Sequence, residues 1–197
     1  MEKKPQKPIP SQISIYTDGS QTPQHVGSGL VIYELNKEIC YKSLRLSDNT
    51  TVFQAEMIAI RAATQLMIEH LQEHQKYIKI FSDSQAAIQA LNSPTITSKI
   101  VEETVRNLNT LGSKVNRLEI EWIKAHVGYE GNERADELAR QAADIPEIDL
   151  HIADSWTNFK NTLWEETYKK WNLRWNGEDR FRQTKLCLLY TSDAADE

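Results

Sequence analysis

Residues 12–20 read Q-I-S-I-Y-T-D-G-S. The β-branched run from Gln12 to Thr17 predicts a strand that ends at Asp18. Working outward, Gly27-Ser28-Gly29 leads into a second strand, Leu30 to Tyr33, and Glu38 to Leu44 forms a third. A Gly/Pro/Gln-rich link and the turn Leu35-Asn36-Lys37 join these runs, which favours an antiparallel meander. Thr51-x-x-Gln54 then carries a capping-box signature. It opens a helix to about His70, with Ala55, Ile58, Ala59, Ala62 and Leu66 as the expected buried stripe.

The pattern changes after that helix. Tyr77 to Phe81 predicts a fourth strand, closed by Asp83. Ser84 can cap a short helix to Asn92, and Pro94 stops it. Ser98 to Leu111 predicts another helix, closed by Gly112, and Leu118, Ile120 and Trp122 alternate as a fifth strand. His126 follows in a glycine-containing loop. Asn132 can cap a final helix with the small stripe Ala135, Leu138, Ala139 and Ala142. The order β-β-β-α-β-α-α-β-α implies an α/β fold: a mixed five-stranded sheet, three strands in an antiparallel meander and two parallel, with helices on both faces.

Four acids stand at the ends or beginnings of these elements. Asp18 lies in T-D-G-S, Glu56 in Q-A-E, Asp83 in S-D-S and Asp136 in N-E-R-A-D. Asp18 and Asp83 are expected at C-terminal strand ends, where open α/β sheets build their sites. Four carboxylates converging there would repel one another unless hard divalent cations held them. Oxygen-only ligands suit Mg²⁺ or Mn²⁺ and argue against zinc.

Charge counts support the same placement. From Gln12 to Asp144 there are 13 Lys/Arg against 17 Asp/Glu, a difference of −4 that the four acids account for. The domain has no large basic field, so a polyanion would have to be held by metals and local contacts. Two cysteines, Cys40 and Cys187, form no metal or disulfide framework. No apolar run is long enough for a membrane helix, and Met1 to Pro10 lacks the apolar core of a secretory signal, so an intracellular setting, cytoplasm or nucleus, is expected.

Asp18, Glu56, Asp83 and Asp136 in that order, with His126 ten residues before the last, resemble type I ribonuclease H. The resemblance covers about Gln12 to Asp144. It rests on T-D-G-S, the Gly27-x-Gly29 pair, T-V-F-Q-A-E, S-D-S-Q, W-I-K-A-H-V-G and G-N-E-R-A-D-E-L-A. It implies endonucleolytic cleavage of the RNA strand of an RNA–DNA hybrid, leaving 5′-phosphate and 3′-hydroxyl ends. It further implies two Mg²⁺ ions, with Mn²⁺ able to substitute, held by Asp18, Glu56, Asp83 and Asp136, and a catalytic role for His126 in proton transfer or product release. Gly19, Ser20 and Gln85 match positions that line the hybrid's minor groove, and Thr51 matches one near a DNA-strand phosphate. A non-cutting binding module and a DNA strand-transfer enzyme on the same fold are the alternatives. The complete carboxylate set speaks against the first, and Glu56 with the histidine loop against the second.

Two departures from the cellular pattern point to a retroelement. Val52 and Phe53 stand where many cellular members carry polar groove contacts, and only five residues separate Asn92 from Ser98, so a basic protrusion is missing. These features resemble the domain of a non-LTR retrotransposon polyprotein, arthropod-like, beside an upstream reverse transcriptase. A cellular housekeeping ribonuclease H is the other reading. Around the domain, residues 1–11 read as a flexible lead-in and 145–153 as a linker. Residues 154–186 read as a Trp-rich amphipathic helix and tail that either packs on a neighbour or offers a base-stacking platform. Residues 187–197 (C-L-L-Y-T-S-D-A-A-D-E) can be encoded by a transposon-end sequencing adaptor, so they are expected to be foreign to the protein.

Overall fold

The computed structural model describes residues 12–70 and 76–177. The expected lead-in and the adaptor-like stretch lie outside the described residues. Two compact units divide the chain after Ala153.

The first unit is built on a five-stranded sheet of order β3-β2-β1-β4-β5. Its strands are β1 (Gln12–Gln21), β2 (Val26–Glu34), β3 (Lys37–Leu46), β4 (Tyr77–Ser82) and β5 (Arg117–Trp122). β1 to β3 form the antiparallel meander, while β4 and β5 add in parallel to β1. Helices α1 (Val52–His70), α2 (Gln85–Leu91), α3 (Lys99–Gly112) and α4 (Glu130–Ala143) complete it. Alternation along β1 sends Ile13 and Ile15 into a core with Ala63, Met67 and Leu111 of α1 and α3. Tyr16 faces the other way, towards Ala135 and Leu138 of α4 and Val31 of β2. Helices therefore cover both faces, as the element order implies.

Three differences from the sequence expectation bear on the site. β1 does not end at Asp18. Its parallel pairing with β4 stops at Thr17↔Ser82, but its antiparallel pairing with β2 continues through Asp18↔Gly29 to Gln21↔Val26. Asp18 is thus the first residue beyond the parallel ladder, held rigid by a neighbour on one side only. α1 is buried without a break from Gln54 to Ile60, rather than along one stripe, while Ala62 and Leu66 are only partly buried. From Gln54 to Ile60 it lies between the sheet and the α2 and α3 layer, so that stretch has no face left for water. Asn132 is not the cap of α4: that position belongs to Tyr129, and Asn132 lies inside the first turn.

Glycine sets how closely the layers approach. A Cβ on Gly29 would lie 2.2 Å from the Ala135 carbonyl oxygen, and one on Gly27 2.2 Å from that of Ala139. α4 therefore rests directly on the β2 backbone through its alanine stripe, and that seating fixes where Asp136 points.

Residues 145–153, read as a linker, are seated on β3. Leu150 bridges Leu46, and Leu150 and Ile152 pack against the core formed by Val26, Leu46 and Ile58. Arg45, 1% exposed, ties the segment down. Its Nε donates to the Ile145 carbonyl at 3.0 Å and its backbone N–H to Asp149 Oδ2 at 2.8 Å, while its Nη2 contacts His25 Nδ1 and Asp48.

The second unit carries α5 (Trp156–Gly177). Ser155 Oγ accepts from the Asn158 backbone N–H at 3.1 Å and so caps its first turn. Its aromatic side chains stack on one another, Trp156 on Phe159 and Trp171 on both Tyr168 and Trp175.

Candidate metal centre and active site

Each site acid is brought into place by a different element. Asp18 comes from β1 just beyond the β4 ladder, Asp83 from the residue after β4, Glu56 from the second turn of α1 and Asp136 from α4. Gly19 makes the first meeting possible: a Cβ there would lie 2.6 Å from the Glu56 backbone nitrogen. β1 and α1 can then touch, and the Gly19 N–H reaches the Asp18 and Glu56 carboxyls. Ser28 Oγ adds a bond to the Ala55 carbonyl at 2.6 Å, fixing α1 to β2 at the same level.

The acids form two groups. Ligand oxygens of Asp18, Glu56 and Asp83 lie within 4.8 Å of one another, and so do ligand atoms of His126, Glu133 and Asp136. Asp136 also reaches Asp18 by charge and side-chain hydrogen bonding, which joins the groups. Burial, reinforced by the charges of Asp83 and Asp136, pushes the Asp18 carboxyl up to about 7. Burial, followed by the charges of Asp18 and Asp83, pushes Glu56 up to about 9. Among the described residues, no cation figures in the shifts of Asp18 or Glu56, and Glu56 Oε2 is buried with no hydrogen-bond partner. An orphaned carboxylate oxygen beside two more carboxylates is a donor set that fits a hard divalent ion.

The second group differs. Asp136 is buried and paired with Arg140 one turn along α4, whereas His126 and Glu133 are exposed. His126 lies in the left-handed region at φ 53°, in the loop between β5 and α4.

The remaining expected positions adjoin these acids along the chain. Gly19 and Ser20 continue β1 past Asp18, and Gln85 is exposed at the first position of α2. Thr51 is engaged in the expected capping box. Its Oγ1 accepts from the Gln54 backbone N–H at 3.2 Å, and the Gln54 side chain returns to the Thr51 N–H at 3.0 Å.

Sequence reading missed three neighbours of the acids. Glu133 was passed over because it lies in the same N-E-R-A-D run as Asp136 and reads as a helix-surface charge. Arg140, four residues on, is where a helical neighbour must fall. Asn132 donates from Nδ2 to Asp83 Oδ2 at 3.2 Å, a contact between residues 49 apart that no local pattern encodes.

Carboxylates gathered from β1, the end of β4 and two helices form an oxygen donor set that fits hard divalent ions. The RNase H family model matches residues 10–144. Ribonuclease H of Erwinia tasmaniensis is 30% identical over 144 residues, covering 70% of this chain and 93% of that protein. Ribonuclease H of Tolumonas auensis is 31% identical over 146 residues, covering 67% and 90%. Among solved structures, RNase H1 of Halobacterium salinarum superposes with a TM-score of 0.53 at 22% identity, covering 66% of this chain and 96% of that one. LC11-RNase H1, solved in complex with RNA/DNA hybrid, gives 0.55 at 24% identity, covering 67% and 96%. The chain belongs to the ribonuclease H family, whose members are divalent-metal-dependent hydrolases of the RNA in RNA–DNA hybrids. Among the described residues, no helix is long and apolar enough to cross a membrane.

Proposed function

We propose that residues 12–144 cut the RNA strand of RNA–DNA hybrids endonucleolytically at the Asp18, Glu56, Asp83 and Asp136 cluster, leaving 5′-phosphate ends. The observation that carries this reading is the convergence of the first three acids within 4.8 Å around an orphaned buried oxygen of Glu56. Asp18, Glu56 and Asp83 would hold one Mg²⁺, and Asp18 with Asp136 a second, with Mn²⁺ substituting. Bound there, the ions supply charge relief at the phosphate and a more acidic water. The protein's own part is orientation. β1, the end of β4 and the α1 backbone would hold the carboxylates in place before substrate arrives. His126, on an exposed loop beside Asp136, would assist proton transfer or product release. Backbone groups of Gly19 and Ser20 and the Gln85 amide would meet the minor groove, where the 2′-hydroxyl distinguishes RNA from DNA, and Thr51 would lie near a DNA-strand phosphate.

The setting we infer is a retrotransposon polyprotein, with a reverse transcriptase upstream holding the substrate. Val52, exposed beside Phe53 at the start of α1, supports it, as do the five-residue link between Asn92 and Ser98 and the Trp-rich α5. The curated relatives named above are bacterial, and a cellular enzyme is the competing origin.

Labelled RNA–DNA hybrid, duplex RNA and duplex DNA, each incubated with Mg²⁺, Mn²⁺ or chelator, test the activity on the wild type and Asp83→Asn. Metal-dependent cutting of hybrid alone, lost in the variant, is expected. Hybrid left intact with both metals would overturn the activity, and a hybrid preference that survives Asp83→Asn would overturn the site.

A further inference from the structure

Asp83 is held from two sides by groups outside its own strand. Its backbone carbonyl accepts from Trp122 Nε1 at the end of β5, at 2.9 Å. Its carboxylate accepts from Asn132 Nδ2 on α4, at 3.2 Å. Ser84, the next residue, is committed to capping α2 through the Ala87 N–H. The main chain at Asp83 is therefore set by the sheet and α2, but the carboxylate's direction is set by α4.

Asn132 is an odd residue for that place if packing were its only task. It is 2% exposed, and its Oδ1 is buried without a partner. Leaving a buried carbonyl oxygen unsatisfied is destabilising, a cost that an apolar side chain of similar size would avoid. Turning the amide over would not help, because it would set oxygen against the Asp83 carboxylate and leave the NH₂ unpaired. What the amide gives in return is a donor aimed at one oxygen of Asp83. The same carboxylate lies within 4.8 Å of ligand oxygens of Asp18 and Glu56.

We propose that Asn132 is a positioning residue for the metal centre: it fixes the Asp83 carboxylate from α4 and so sets the spacing between the Asp18, Glu56 and Asp83 group and Asp136 on the same helix. This rests on the metal reading of those acids given above. Groups that hydrogen-bond a ligating side chain typically control metal affinity by about 10–100-fold. Asn132 is the described group that does so for the Asp83 carboxylate from another element.

Mn²⁺ binding by calorimetry and melting in chelator are measured on the full chain for wild type, Asn132→Ala, Asn132→Ser, Asp83→Asn and the Asp83→Asn/Asn132→Ala double variant. Asn132→Ala is expected to weaken Mn²⁺ binding about tenfold, with Asn132→Ser between it and wild type because a hydroxyl keeps a shorter donor. In the double variant the second change should add no further loss, since there is no carboxylate left to aim. Hybrid cleavage at fixed Mn²⁺ should fall in turnover with KM for the hybrid unchanged. Mn²⁺ affinity in Asn132→Ala and Asn132→Ser within twofold of wild type, with only the melting point lowered, would overturn the proposal and leave Asn132 a packing residue. Should Asn132→Ala not fold, Asn132→Ser alone decides by the same criterion. Wild-type affinity in Asp83→Asn would instead overturn the metal reading itself, and the Asn132 proposal with it.

Discussion

Replacing Glu56 by Gln should make the metal-free protein more stable, and by an amount that depends on pH. In the unfolded chain Glu56 ionises near its ordinary 4.5, whereas burial and the charges of Asp18 and Asp83 hold it protonated to about 9 in the fold. Below about pH 4 both states carry the proton and the site costs nothing. As pH rises the unfolded state ionises first, so folding stability is lost steadily up to about pH 9 and stays low beyond it. At about 1.36 kcal/mol per pH unit, the loss accumulated between 4.5 and pH 8 has a ceiling of about 5 kcal/mol. The repulsion between Asp18 and Glu56 contributes to both of their shifts, so the share removed with Glu56 alone is smaller, about 2–4 kcal/mol. Glutamine is nearly isosteric with glutamate, so the change removes the charge with little change in packing volume. Urea unfolding in chelator at pH 4, 6 and 8 reads the effect. The variant should match wild type at pH 4 and gain about 2–4 kcal/mol at pH 8, and added Mg²⁺ should raise its stability less than that of the wild type. No gain at pH 8, or an equal gain at pH 4, would refute the view that buried, mutually repelling carboxylates dominate the energetics of this site.

Other outcomes follow from the packing. Gly29→Ala places a Cβ 2.2 Å from the Ala135 carbonyl, which should cost about 1–3 kcal/mol of stability in a denaturation curve and reduce hybrid cleavage by moving Asp136. Arg140→Gln removes a positive charge from Asp136, worth about 1 kcal/mol at most for a pair with an exposed partner, and should tighten Mn²⁺ binding by up to roughly fivefold in calorimetry. Arg45→Met leaves the carbonyls of Val26, Leu46 and Ile145 without their donor and should cost about 3 kcal/mol or more, with early proteolysis near residues 145–153.

How legible the fold was depended on how local its determinants are. Alternation in Gln12–Thr17 and in Leu118–Trp122, the Thr51–Gln54 box and the Ala135–Ala142 stripe are all written within a few residues of themselves, and each element stands where they put it. What escaped depends on a second strand or helix. Asp18 reads as a strand end because its β-branched run stops there. Pairing with Gly29 carries the strand on, and that partner is eleven residues away. Asn132 has the chemistry of a cap, and only the approach of Asp83 reveals what its amide serves. Residues 145–153 carry Pro146 and acids that suit a linker, and their attachment depends on Arg45, a hundred residues earlier. The order of the four acids was readable; the division into two groups, with Glu133 in the second, was not.

The same ion pairs that close the fold also decide what a nucleic acid would meet on its surface. Nine of the domain's Lys and Arg residues, Arg45, Arg61, Lys79, Arg117, Arg134 and Arg140 among them, already sit against protein carboxylates. A cation satisfied in this way displaces few condensed counterions when a phosphate backbone arrives, and counterion release is what makes most nucleic-acid binding fade as salt rises. Hybrid engagement by this domain should therefore be weak at low ionic strength and change little as the salt is raised. Divalent ions, rather than a basic surface, would set when it lets go.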